Sequence, residues 1–575
     1  MKFSASAVIL QSAIVFLLVS QPVAYAQNNS QTRETLPQQL ANPNNLDSTA
    51  QRPGPDDDEP APAPRITGPV ARGVVFIDND ENGVYSQGDS AAAGIKVSNG
   101  IDIVKTDKFG AYEIGLEDDQ ILFVIKPNGM RTAIGPEQLP KFFYIHKPNG
   151  SPKLKFPGSL KTGDIPRSID FPLYRQDEPA NFQLLMFGDP QPRNQTEINY
   201  ITEDVVSELV GTGASFGVTL GDIMFDDLSL FESSNQSISM IGIPWYNVIG
   251  NHDINTDAPS RKLVNETFER VYGPTYYSFN YGQVHFIVMD NIDWVPASRD
   301  QRATYKSKIG DEQMAWIKKD LALVPESQMV VIFMHIPIKG IEDREELYRL
   351  IENRPLCISV SGHTHNHEHL FLTEQDGWKG KQPHHHIINV TVSGSWWSGT
   401  KDERGIPHAT MADGAPNGYT TLVFEDEGKD YRLDFKGAGM SPDKQMGIRL
   451  PNEIDTNETG KTDVWVNVYN GSEKSKVEMQ LGGMTSWIEL ERKAAVDPYY
   501  QRIFDNEQKK NPPPMPDWVK PIKSTHLWTA KLPANMAPGY YNLNVKTVDM
   551  HDRIFYDKRL FRVTGKAKPA EDANK

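Results

Sequence analysis

Five short polar motifs share one stretch of the chain: Gly188-Asp189-Pro190-Gln191, Gly221-Asp222, Gly250-Asn251-His252-Asp253, Met334-His335-Ile336-Pro337 and Gly362-His363-Thr364-His365. Their side chains are carboxylates, amides and imidazoles without a thiolate, a donor set for hard or borderline divalent cations. Asp189 and Asp222, if brought together without a cation, would repel one another or take up a proton. A pair of divalent ions removes that cost, and Asp222 is the candidate to bridge them. Asn251 offers an amide oxygen. His252 stands beside it as a candidate general acid, with Asp253 placed to orient its ring. Gly-His-x-His puts two imidazoles on one side of an extended segment, where they can reach two neighbouring ions. Any one of these motifs alone reads as a polar turn after a strand; five in one stretch do not.

Each motif follows an apolar feeder. These are Phe182 to Phe187, Phe216 to Leu220, Trp245 to Ile249, Met329 to Phe333 and Cys357 to Val360. Short runs of this kind read as strands buried on both faces, separated by enough chain for crossover helices. The pattern predicts an α/β unit in which five strands deliver their loops to one sheet edge. Residues 194–210 and 311–323 have the spacing of amphipathic helices, and 276–289 reads as a hairpin around Asn280-Tyr281-Gly282.

In this order, over residues 182–375, the motifs resemble those of the calcineurin-like metallophosphoesterases. The resemblance implies a β-sandwich core flanked by helices. It also implies one metal held by Asp189, Asp222 and His365, and another by Asp222, Asn251, His335 and His363. Gln191 stands where the family usually has a histidine ligand; its oxygen binding the metal, its holding a water and an open position are the alternatives. The implied activity is hydrolysis of a phosphate ester with two divalent ions (Mn, Fe, Zn or Ni) about 3.5–4 Å apart that lower the pKa of water. His252 stabilises the transition state or protonates the leaving oxygen. A phosphomonoester, on a protein or a small molecule, is the expected substrate. A phosphodiesterase acting on a cyclic nucleotide or glycerophosphodiester is the alternative enzyme, and a surface-binding protein with a degenerate metal site is the non-enzymatic alternative.

The rest of the chain frames this unit. At 575 residues it is too long for one core, and roughly three or four domains are expected. A net charge of −16 and the absence of a basic stripe argue against nucleic-acid binding. Residues 1–26 combine Lys2, an apolar run and Ala24-Tyr25-Ala26, the pattern of a cleaved export signal. That predicts a periplasmic or secreted protein with no membrane span after cleavage. Residues 27–65 read as a polar linker. The lone Cys357 excludes an internal disulfide and reads as a small buried hydrophobe. Nothing in the sequence sets an oligomeric state.

Residues 66–175 alternate as an all-β module and resemble the β accessory modules of secreted metallophosphoesterases. Within it Asp78, Asp80, Asn82 and Asp89 have the spacing of a calcium loop, with an acidic hairpin turn as the plain reading. The catalytic unit is expected over 180–385. A C-terminal β-sandwich follows over 386–565, similar to the domain attached to bacterial members through Gly-Ser-Trp-Trp and Asp-Gly-x-Pro-Asn-Gly-Tyr, and 566–575 is a polar tail. Trp396, Trp397 and Tyr419 follow the fifth motif and are expected either to wall the substrate cleft or to fill a domain interface. His384, His385 and His386 alternate in a strand and are not expected to share a metal. His367 and His369 are expected in solvent or behind the ligands.

Overall fold

The computed structural model describes residues 68–297, 302–516 and 519–565; the expected signal segment, linker and polar tail lie outside the described residues. All five feeders are strands: Phe182–Phe187, Phe216–Thr219, Trp245–Asn247, Met329–Phe333 and Cys357–Ser361. They do not share one sheet. The first three lie in a five-stranded sheet of order Trp245–Asn247, Phe216–Thr219, Phe182–Phe187, Gly418–Glu425 and Asp430–Gly437. The last two lie in a six-stranded sheet with Tyr277–Tyr281, Val284–Val288, His384–Ile388 and Glu368–Leu372.

Burial on both faces explains the split. Apolar residues of the two sheets fill one shared core, in which the Phe216 and Phe286 rings meet at 5.3 Å, while a second apolar cluster covers the other face of the first sheet around Phe187 and Trp245. The helices Gln195–Asp204 and Asp311–Leu321 are present. The first is capped by Asn194, whose side chain accepts from the Glu197 N–H. It stops at Asp204, and a short 3-10 turn, Val206–Glu208, continues the segment.

The catalytic layers run past residue 385. Gly418–Glu425 pairs antiparallel with Phe182–Phe187, Leu184 facing Leu422, because its alternating apolar side chains fit a central position. The two further sheets of the C-terminal region begin with the strand Met446–Arg449. Its two sheets close on Val464, Val466, Met479, Leu543, Val545 and Phe561. The N-terminal module is all-β, as expected, and joins the catalytic core through buried polar ties. Lys126 pairs with Glu178 at 2.6 Å, Lys147 pairs with Glu266, and the Trp316 indole donates to Ser98.

Candidate metal centre

The loops that leave the feeder strands do so on strained backbone. Asp189, Gln191, Asp222, His363 and His365 all have positive φ (41°, 44°, 49°, 74° and 52°). For residues other than glycine this costs on the order of 1–3 kcal/mol each, and it persists only where the surroundings over-determine it. Two glycines make the crowding possible. A Cβ on Gly250 would stand 2.1 Å from the Asp222 nitrogen, and one on Gly221, itself at φ +89°, would stand 2.4 Å from His335 Nδ1.

The loops of both sheets meet at one rim. Asp222 Oδ1 accepts from the His252 N–H at 2.9 Å, and its Oδ2 lies 3.3 Å from His335 Nε2. His335 Nδ1 sits 2.9 Å from the Leu220 carbonyl. A carbonyl cannot donate, so neutral His335 carries its proton on Nδ1 and turns a bare Nε2 inward. That Nε2 faces Asn251 Oδ1 at 3.1 Å and His363 Nδ1 at 3.2 Å. The ligand atoms of Asp222, His335 and His363 all lie within 4.8 Å of one another. His365 is set in the same manner: its Nδ1 meets the Gly394 carbonyl at 3.0 Å, leaving Nε2 3.6 Å from Asp189 Oδ1. Asp189 also accepts from the His363 N–H at 2.9 Å.

The electrostatics call for a cation. Burial pushes Asp189 up to about 7 against the pull of His335. Burial also pushes on Asp222, yet His335 and His252 hold it below the usual carboxylate range. Burial alone would lower His335, but Asp222, Asp189 and the Leu220 carbonyl together outweigh it and raise the imidazole to about 9. Burial and the neighbouring His335 then press His363 down to about 3, and burial takes His365 to about 4. Converging lone pairs, two buried carboxylates and an imidazole driven to protonate fit a divalent cation with oxygen and nitrogen ligands.

His252 is built for a different role. Its Nδ1 lies 2.7 Å from Asp226 Oδ1 and its ring stacks on Phe225 at 4.7 Å. Burial opposes its charge, but Asp222 and then Asp226 raise it to about 9. The expectation that Asp253 orients this ring is corrected. The Asp253 carboxylate instead accepts the backbone N–H groups of Ile223, Met224 and Gly250, pinning the second and third loops together. The residue missed in the sequence is Asp226, which belongs to the same loop as Asp222.

Of the three alternatives for Gln191, its amide is set as in the one that leaves the position open. Its Oε1 accepts from the Trp396 indole at 2.5 Å, and its NH2 donates to Asp222 Oδ2 at 2.9 Å. Trp396 stacks on His365 with ring centroids 3.8 Å apart, so it walls the site. Trp397 and Tyr419 do not; both are buried in the cluster around Phe187 and Trp245. Arg193 braces the Trp396 loop by donating to Glu197 and to the Trp396 carbonyl. A further rim residue is Tyr305, edge-on to His363 at 6.3 Å.

In the N-terminal module the carboxylates of Asp78, Asp80 and Asp89 lie within 4.8 Å of one another. Asn82 meets that trio as a donor, its NH2 on Asp80, while its side-chain oxygen accepts from the Val84 N–H.

Three family models match in register with this architecture: calcineurin-like phosphoesterase over residues 182–367, the N terminal of calcineurin-like phosphoesterase over 76–158, and its C terminal over 386–555. The chain belongs to the calcineurin-like phosphoesterases. No curated protein matches this phosphoesterase. Among solved structures it is similar to a purple acid phosphatase from yellow lupin (Lupinus luteus) seeds, at 14% identity and TM-score 0.33, over 60% of this chain and 66% of that one. The phosphoesterase thus spans a little under two thirds of the lupin chain. CopC from Methylosinus trichosporium OB3b aligns at 12% identity and TM-score 0.12, over 21% of this chain and 90% of that one.

Proposed function

We propose that this phosphoesterase hydrolyses phosphomonoesters, on proteins or small molecules, outside the cytoplasm and with two divalent cations drawn from Mn, Fe, Zn or Ni. The observation that carries the reading is the convergence of Asp222, Asn251, His335 and His363 on one point beside His252. Bound divalent ions supply an acidified water and neutralise phosphate charge. The protein's own residues do the rest. Asp222, Asn251, His335 and His363 would hold one ion, and Asp189, Asp222 and His365 the other. His252, raised to about 9, keeps a proton at neutral pH and gives it to the leaving oxygen. Asp226 keeps it charged and aimed. Trp396 and Tyr305 border the opening.

The monoester reading rests on the Asp-Pro-Gln form of the first motif, which is similar to that of the protein-phosphatase-like branches of the family, and the extracellular reading on the export-type N-terminal sequence. No helix among the described residues is long and apolar enough to cross a membrane. Calcium in the N-terminal module is supported by the Asp78, Asp80 and Asp89 trio alone. The test is a kcat/KM panel of aryl phosphate, phosphopeptide, aryl phosphodiester and cyclic nucleotide with each metal. Monoesters are expected to lead by about tenfold or more, equivalent to ~1.4 kcal/mol in the barrier. A lead for the diesters assigns the phosphodiesterase alternative, and no turnover with any metal assigns the binding protein.

A further inference from the structure

We infer that the two metal positions are unequal: the one built from Asp222, Asn251, His335 and His363 binds tightly, and the one between Asp189 and His365 binds weakly. The cause is Trp396, which locks Gln191 with its NH2 rather than its oxygen turned toward the site. The inference rests on the metal-dependent reading above and adds to it a difference between the positions and the residue that sets it.

An indole N–H only donates. Placed 2.5 Å from the Gln191 amide, it fixes Oε1 on its own side, so the other end of the amide must be the NH2 group. That NH2 points at Asp222 Oδ2 from 2.9 Å and brings partial positive charge to the edge of the cation site. Turning the amide would set its NH2 against the indole N–H and its oxygen against a carboxylate. Gln191 is itself buried, and its backbone N–H donates to the Asp222 carbonyl at 3.1 Å.

Trp396 is equally constrained. Its ring stacks on His365 at 18°, its carbonyl accepts from Arg193 at 2.8 Å, and Arg193 is held by Glu197. The lock therefore ties together the loops of Gln191, Asp222, His365 and Trp396. One position is left with Asp189, a share of Asp222 and His365, whereas the other has four protein donors. The close group of three ligand atoms belongs to the richer position; Asp189 and His365 join no such group among the described residues.

The test is a calorimetric titration of the metal-free full chain with Mn2+, repeated with Zn2+. The expected isotherm has one tight step and a second at least about tenfold weaker, the equivalent of 1.4 kcal/mol. Gln191→His supplies an imidazole donor and is expected to tighten the second step alone. Trp396→Phe keeps the ring on His365 but removes the indole donor; it frees the amide to turn and tightens the second step by a smaller factor. It also stands as the second probe should Gln191→His fail to fold. Two steps of equal affinity in the parent, or a second step weakened by Gln191→Ala, overturn the inference. Absence of any binding, or a tight step that survives His363→Ala, overturns the metal-dependent reading itself and this inference with it.

Discussion

Two histidine-rich regions lie close together in this chain and have opposite chemistry. In the candidate metal centre His335 and His363 face each other nitrogen to nitrogen at 3.2 Å, with a buried carboxylate beside them. In the seam behind the fifth motif strand, nearly every imidazole nitrogen has found a neutral partner. His384 and His386 both reach the Ser359 hydroxyl, His386 also meets Ser361, and His385 bridges His369 and Tyr431. His367 and His369 share Asn470. Both are buried, which excludes the solvent-facing one of the two expected placements, and the Asn470 they share belongs to the C-terminal sandwich. Histidine content alone therefore does not mark a ligand. What marks one is a tautomer fixed on one nitrogen, a bare second nitrogen and a carboxylate within reach.

The comparison is sharpest under substitution. Asp222→Ala removes the shared carboxylate and is expected to abolish metal uptake and lower kcat/KM by ~10³-fold or more, since a catalytic cation supplies several kcal/mol. His385→Gln in the seam is expected to leave metal content and turnover unchanged; elemental analysis and an aryl-phosphate assay read both. His252→Ala is expected to lower kcat by about 10²–10⁴-fold while metal stays bound. Asp226→Asn moves the alkaline limb of kcat to lower pH, because Asp226 is one of the groups that raise His252 to about 9. A limb that stays in place removes Asp226 from this role.

The neighbouring tryptophans extend the contrast to packing. Trp397→Ala is expected to cost about 3–5 kcal/mol of stability by denaturant unfolding, as a buried aromatic deletion. Trp396→Phe is expected to leave unfolding almost unchanged.

The seam also makes an acid-sensitive contribution. Burial depresses His369 and His384 to about 4 and holds His367, His385 and His386 well below their ordinary value. As pH falls from about 6.5, where free histidine titrates, toward 4, the unfolded chain takes up protons that the folded seam refuses. Stability then falls by up to ~1.4 kcal/mol per pH unit for each such histidine. A Tm series should show this slope, and His385→Gln should flatten it. The smallest effect concerns the N-terminal trio: millimolar Ca2+ is expected to raise Tm by a few degrees, an increment that Asp80→Ala removes.

The five motifs and their strands were legible because buried apolar runs ending in glycine and a polar residue are a local signal. Their division between two sheets was not, since a strand buried on both faces carries no mark of its partners. Asp253 misled by adjacency: next to His252 in sequence, its carboxylate is consumed by three backbone N–H groups, while Asp226 arrives from another loop. Trp396 and Trp397 differ by one position yet face the site and the core respectively, both on left-handed backbone at φ 54° and 51°. That Gly418–Glu425, inside the segment expected as the C-terminal domain, joins the catalytic sheet was not legible, because it reads as any β-sandwich strand until its partner Phe182–Phe187 is known.

The most direct measurement is anomalous X-ray scattering from crystals grown with Mn2+ or Zn2+. The strongest peak should lie about 2.0–2.3 Å from an Asp222 oxygen and from the inward nitrogens of His335 and His363. A peak in the seam between His369 and His385, or none at Asp222, would contradict the assignment of this rim as the metal centre.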